Sequence, residues 1–347
     1  MAVNTAFAVV HGHKPRPRIE EASVRTLDAA PKSSSAGPPF AASRTSRGKK
    51  TPRRIPDNRF ALYLMAPAAA FLAIFVAYPL LRLLFDSFFK ISPTAGGNRA
   101  FVGLSNYITA FTSDAFLGAG WRTIVYTLIV VTLEFTLGLT MALIFSALGP
   151  RSQVLRTFFL YPLMIAPLVA GLLWKFLMID NFGLLGSLLA RAGILSDPNQ
   201  IGWLSDPNIV LFSVAIPDIW LTTSFMCLVL FAGLQNVPAE LVEAARLDGA
   251  SSRTLLFHII LPLLRPVIAV ALVLRGIDAA KAFDVILIQT NGGPDSASET
   301  MSLLIYRTMI RFGDPGLASA MGTIYLVAML AIAFIAVSTI WRPGKED

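Results

Sequence analysis

From Phe60 onward the chain is dominated by long apolar stretches, separated by short polar or proline-marked segments. Six of them match the roughly 20 residues a helix needs to cross a hydrocarbon core of about 30 Å: Phe60–Leu81, Thr123–Leu148, Thr157–Met178, Ile209–Leu234, Val267–Thr290 and Gly316–Ile340. The pattern predicts an all-α membrane protein with six transmembrane helices. Pro162 and Pro167 are expected to kink the third helix, because proline removes a helical N–H and crowds the preceding turn. Between the fourth and fifth stretches lies a polar but helix-forming loop, about residues 235–266.

Composition agrees with the pattern. Of 347 residues 55% are hydrophobic and 14% charged, with mean hydropathy +0.64, whereas soluble domains carry about 25% charged residues. Charge adds a direction. Residues 1–60 hold 12 Lys+Arg against 4 Asp+Glu, which accounts for the entire net charge of +8. Residues 1–58, rich in Pro, Ser, Arg and Ala, read as a disordered basic tail, and the positive-inside rule places that tail in the cytoplasm. Residues 59–341 form the six-helix domain. The loops with Arg151, Arg156, Arg246, Arg253 and Arg265 then face the cytoplasm, as does the short C-terminus 342–347. Aromatic residues do not interleave with the basic ones of the tail, which argues against nucleic-acid binding.

The loop itself has legible physics. Pro238 suits the first position of a helix, and Glu240 falls in its first turn, where an acidic group favours the N-terminus. Ala239, Leu241, Ala244 and Ala245 leave a surface that another backbone can approach. Gly249 supplies the left-handed conformation that closes a helix. Ser251 or Ser252 caps a second short helix through Ile260, which Pro262 is expected to stop before the next span. Two short helices at an angle on the cytoplasmic face result; an ordinary interfacial amphipathic helix is the plainer alternative.

The spacing Glu243-Ala244-Ala245, three residues, Gly249, nine residues, Ile259-Ile260-Leu261-Pro262 resembles the EAA loop of permease subunits of bacterial ABC importers. Phe101-Val102-Gly103-Leu104-Ser105-Asn106-Tyr107, Arg275-Gly276-Ile277-Asp278, Phe283-Asp284 and Thr290-Asn291-Gly292-Gly293-Pro294 are similar to segments of the carbohydrate branch, which includes subunits of maltose, trehalose and glycerol-3-phosphate importers. The resemblance covers about residues 59–341 and departs at Asn291, where that branch commonly has glycine. It implies the type I importer permease architecture in a bacterial inner membrane. Glu243, Ala244, Ala245, Asp248, Gly249, Leu261 and Pro262 would dock a separate ATPase. It also implies a second homologous permease, two nucleotide-binding subunits holding ATP and Mg, and an extracytoplasmic sugar-binding protein. The chain itself would bind no cofactor and would lie among membrane lipid.

Ionisable groups within a membrane are costly unless paired or hydrated. The fifth stretch carries Arg275, Asp278, Lys281 and Asp284, alternating in sign at steps of three. They read equally as a self-neutralising ladder or as a polar wall of a substrate path. Pro217-Asp218-Ile219-Trp220 loosens the fourth helix beside a carboxylate and an indole, a combination suited to a sugar, although a membrane Trp is usually packing. Asp218, Trp220, Arg275, Asp278, Asp284 and Asn291 are therefore the candidate path residues. Glu134, in the second stretch, fits pairing with a partner subunit as well as a path role.

No G-x-x-x-x-G-K-[ST] phosphate loop occurs, so ATP chemistry belongs to another chain. His11, His13 and His258 show no ligand clustering, and Cys227 stands alone. The function read from the residues and the resemblance together is the permease subunit of an ATP-driven carbohydrate importer. The alternatives are a permease for another solute such as glycerol 3-phosphate, a proton-coupled secondary transporter, and a membrane enzyme acting on lipid-linked sugars.

Overall fold

The computed structural model of the chain describes residues 57–92 and 98–340. The expected tail, except Asp57 and Asn58, and the C-terminal segment fall outside the described residues. The described residues divide into a smaller unit, 57–79, and a larger one from Leu80 onward.

In the smaller unit α1 (Asp57–Leu72) runs into a π-helical turn, Ala73–Ala77. The Tyr78 N–H then reaches five residues back to the Ala73 carbonyl, and Tyr78 opens α2 (Tyr78–Asp86). Pro79 follows at once. The widened turn sits where a ring without an N–H would crowd an ordinary α-turn.

In the larger unit α2 is followed by a hairpin, β1 (Phe89–Ser92) against β2 (Asn98–Phe101), Phe89 opposite Phe101. The short α3 (Ser105–Thr112) follows; its Asn106 amide donates to the Ser87 and Phe89 carbonyls at 2.9 and 3.0 Å. α4 (Asp114–Leu148) is 35 residues long. It packs along α8 (Val210–Gln235), where Gly138 faces Met226 and the Cys227 backbone so closely that a Cβ would stand 2.8 Å from Met226. Small residues at such crossings let membrane helices approach. α11 (Leu261–Ala280) and α14 (Pro315–Ile340) complete the bundle. Tyr126, Val130, Val214, Ile219, Ile286 and Leu303 form one buried core; Ala142, Leu230, Leu234, Ile260 and Leu264 form another.

Five helical stretches are long and apolar enough to cross a membrane among the described residues. The third expected span is not one of them. Residues 157–178 break into the end of α5 (Gln153–Leu160), a 3-10 turn at Tyr161–Met164, and α6 (Pro167–Met178). Twelve residues of helix reach about 18 Å, short of a hydrocarbon core. The helix tightens to a 3-10 turn at Pro162 and is cut at Ile165–Ala166, directly before Pro167. The fifth expected span lies within one of the five, Ser252–Gln289, but is interrupted: α11 ends at Ala280 and α12 (Asp284–Gln289) starts after a three-residue break. The loosened carbonyls are satisfied: Tyr325 Oη donates to Ala280 O at 2.6 Å and Thr300 Oγ1 to Ala282 O at 3.2 Å. A break inside a bundle is tolerated when neighbours supply such donors.

Between these elements lie α7 (Leu184–Arg191), α9 (Ala239–Leu247), α10 (Ser252–Thr254) and α13 (Met301–Ile310). α10 continues through a π-turn, Leu255–Ile260, directly into α11. The expected stop at Pro262 is therefore absent. The Leu261 N–H reaches the Leu256 carbonyl five residues back, and Pro262 follows the widened turn as Pro79 follows the first one.

Candidate functional site

Three helices each bring an acid to one buried base. On α8, Pro217 lies inside the helix and cannot bond the carbonyl four residues back. Asp218 follows it, and Thr222 stands one turn further on the same face. On α11, Arg275 and Asp278 share a face three residues apart. α4 contributes Glu134 and, two turns earlier, Tyr126.

Arg275 is the hub. Its Nε donates to Glu134 Oε2 and its Nη2 to Glu134 Oε1, both at 2.7 Å, the two-bond fork that guanidinium and carboxylate geometry favours. Nη2 also lies 3.4 Å from Asp218 Oδ1, and Nη1 is 2.5 Å from Asp278 Oδ2. Tyr126 Oη donates to the other Asp218 oxygen at 3.1 Å. The Thr222 hydroxyl lies against Glu134 Oε1 and the Asp218 carbonyl. Side-chain exposure grades the three acids: 0% for Glu134, 14% for Asp218 and 64% for Asp278, against 4% for Arg275. Glu134 is thus a buried counter-ion, while Asp278 is held at one oxygen and open at the other.

Several expectations need revision here. The charged stripe of α11 is not a ladder along one helix, since Arg275 pairs chiefly across to α4. Lys281 and Asp284 are exposed and belong to no salt bridge among the described residues. Glu134 pairs within the chain, which removes the need for a partner subunit's cation. Trp220, about 200° round α8 from Asp218, meets Trp174 of α6 edge-on at 6.0 Å. Asn291 lies exposed in the turn after α12, where its N–H closes the helix onto Ile286 O at 3.0 Å. Its φ of +50° is the left-handed conformation that glycine adopts easily and asparagine tolerates. The departure at Asn291 therefore preserves the turn.

The loop after α8 largely takes its expected shape. Pro238 caps α9 from just outside rather than opening it. Gly249, at φ +81°, closes α9, and Ser251 Oγ accepts the Thr254 N–H at 3.2 Å. Glu243, Ala244, Asp248 and Gly249 are exposed, and Leu247 is 89% exposed. Ala245 instead turns inward onto Val237, Val242 and Leu255. Leu261 and Pro262 are half-buried.

A cavity of about 830 Å³ opens between α4, α11 and α14, lined by residues such as Ile124, Leu128, Leu272, Val273, Met329 and Ile332. The charged cluster does not line it. Its walls are almost wholly carbon, so a solute rich in hydroxyls would lose hydrogen bonds on entering. Among the described residues no group of His, Cys, Asp and Glu could hold a metal. The cluster offers instead a fixed cation, carboxylate acceptors and hydroxyls, which is recognition chemistry.

Sequence reasoning missed Tyr126 and Trp174. Tyr126 gave no signal, since its partner lies 92 positions away.

Three kinds of comparison bear on this arrangement. The family described as binding-protein-dependent transport system inner membrane component matches residues 134–341. The chain is 34% identical to the sulfoquinovosyl glycerol transport system permease protein of Agrobacterium fabrum, over 80% of this chain and 89% of that protein. It is also 34% identical to the trehalose/maltose transport system permease protein of Thermococcus litoralis, over 79% and 91%. A chain of a bacterial alginate ABC transporter, solved in complex with an alginate pentasaccharide-bound periplasmic protein, superposes with a TM-score of 0.67 at 22% identity, covering 83% of this chain and 96% of that one.

Proposed function

We infer that the chain works as the permease subunit of an ATP-driven carbohydrate importer, and the premise is membership: it belongs to the family of inner membrane components of binding-protein-dependent transport systems. It is a multi-pass membrane protein of that family. The carbohydrate cargo is supported by relatives whose names specify a sulfoquinovosyl glycerol and trehalose or maltose.

One structural observation carries the mechanism. The loop at Glu243–Gly249 and the cluster at Arg275 are joined by a continuous helical rod, Ser252 to Ala280. From Pro262 to Arg275 the rod spans about 20 Å. A push on the loop from an ATPase subunit would shift or tilt this rod and, with it, Arg275 and Asp278 relative to Glu134 and Asp218. In this reading Glu243, Ala244, Asp248, Gly249 and Leu247 form the docking surface in the cytoplasm, with ATP and Mg held by the partner. Asp218, Arg275 and Asp278 form the chain's part of the solute path. Carboxylates accept from sugar hydroxyls, and such charge-assisted bonds are strong where water is excluded.

Solute alone shifts an equilibrium by its differential affinity for two states. Closure of two ATPase subunits supplies the further difference that turns outward-open into inward-open. A second, homologous permease completes the path and an extracytoplasmic binding protein delivers the solute.

The test is reconstitution of the chain with its partner permease, ATPase and binding-protein subunits. Proteoliposomes are then offered labelled trehalose, maltose, sulfoquinovosyl glycerol and glycerol 3-phosphate. ATP-dependent accumulation of a saccharide or glycoside supports the reading. Uptake of glycerol 3-phosphate alone would replace the cargo, and uptake driven by a proton gradient without ATP would overturn the whole assignment.

A further inference from the structure

We propose that Glu134 is a positioning residue for the solute path: its two-bond hold on Arg275 sets where the open carboxylate of Asp278 points, so that a side chain with no exposed surface governs solute affinity. The inference rests on the proposed function and deepens it.

The geometry gives the three acids different work. Glu134 takes the Nε and Nη2 edge of Arg275, at 2.7 Å for each bond, and is sealed from solvent. A guanidinium is planar, so fixing one edge in two places fixes the plane and the direction of the remaining nitrogen. That nitrogen, Nη1, is the one on Asp278 Oδ2. Nothing among the described residues donates to the second Asp278 oxygen, and 64% of the side chain is exposed. A carboxylate pinned at one oxygen and free at the other presents an acceptor in a set direction, which is what recognition of a hydroxyl requires.

Asp218 depends on the same clamp more loosely. Its contact with Nη2 is 3.4 Å, and Tyr126 holds its other oxygen at 3.1 Å. Loss of the Glu134 fork leaves Arg275 free to turn toward either remaining acid, and both acceptors move. The effect should appear in solute binding separately from any effect on assembly.

A charge exchange separates the two. Glu134→Arg combined with Arg275→Glu rebuilds an ion pair between α4 and α11 but puts a carboxylate, not a guanidinium, beside Asp278. The assembled importer, purified without its binding protein and without ATP, is assayed for equilibrium binding of labelled trehalose, maltose and sulfoquinovosyl glycerol, and for its thermal midpoint. A positioning role predicts a midpoint close to wild type and affinity weakened about tenfold or more, the worth of one charge-assisted hydrogen bond. A purely structural strut predicts that the exchange restores both, and that result overturns the proposal. Should the exchanged pair fail to assemble, Glu134→Gln serves in its place. Glutamine keeps the volume but offers Arg275 one acceptor oxygen instead of two, so the proposal again requires the affinity loss, and unchanged affinity refutes it. Wild-type importer that binds none of the saccharides removes the proposed cargo, and the inference falls with it.

Discussion

Arg275 and Glu134 lie 141 positions apart in sequence, yet the guanidinium edge of one meets both carboxylate oxygens of the other at 2.7 Å. The pair ties α4 to α11 where water is excluded. Pairing of this kind is costly to break on one side only, because the surviving charge stays buried without a counter-ion. Glu134→Ala or Arg275→Ala should each destabilise the folded chain by about 3–5 kcal/mol. Replacing both by methionine should cost clearly less than the two single losses together. Thermal unfolding of the purified complex in detergent measures this; additive losses would show that the pair does not act as a unit.

The break between α11 and α12 offers a second check. Thr300 Oγ1 and Tyr325 Oη cover the carbonyls of Ala282 and Ala280. Thr300→Val and Tyr325→Phe keep the volume but remove the donors, so each should lower stability by about 1–3 kcal/mol, the cost of a buried acceptor left unmade. Faster hydrogen exchange confined to residues around 278–286 should accompany the loss. Unchanged exchange there would mean that the break is held by packing alone.

Much of this architecture could be read from residue order. Hydropathy located α8 and α14 to within one residue at each end because their apolar lengths match the thickness of hydrocarbon, but it placed the start of α4 at Thr123 rather than Asp114. It misjudged the third expected span and did not show the interruption of the fifth for one reason: hydropathy averages over a window and does not register a broken hydrogen-bond ladder. The former breaks directly before Pro167, and the break at Lys281–Phe283 lacks any proline to announce it. At the loop, Gly249 was legible because left-handed backbone selects glycine. Glu134 and Arg275 could each be flagged as buried charges, but the sequence could not say that they pair. Long-range pairing is fixed by helix packing, and helix packing is set by contacts such as Gly138 on Met226.

Trp220 and Asp278 should now respond differently to substitution. Trp220 packs on Trp174 with ring centres 6.0 Å apart, on a face of α8 turned from Asp218. Trp220→Ala should therefore lower stability by about 1–3 kcal/mol, the half-buried share of a large-to-small change plus the ring contact. It should couple to Trp174→Ala in a double-mutant cycle and leave equilibrium solute affinity within about twofold, against the tenfold expected when an acceptor is lost. A large affinity loss in Trp220→Ala at wild-type stability would return this indole to the solute path.

The loop after α8 gives the last test. Gly249 sits at φ +81°, and nothing within 4 Å would meet a Cβ there. A substitution at Gly249 is thus penalised by backbone conformation alone. A β-branched residue suffers most in the left-handed region, about 1–2 kcal/mol or more, and the loop can escape by giving up the turn that sets α9 against α10. Gly249→Val should therefore leave the apolar helices inserted while altering the surface around Leu247 and Asp248. Glu243→Lys reaches the same surface by another route, since Glu243 is exposed and its reversal disturbs no internal contact among the described residues. Both variants should appear in the membrane at near wild-type abundance, retain solute binding, and lose ATPase association and ATP-driven uptake. Co-purification of the ATPase with each variant, alongside uptake in proteoliposomes, decides the matter. Two unrelated changes, one conformational and one electrostatic, converge on coupling only if this loop is the contact, so normal uptake in both would move the ATPase to another surface of the chain.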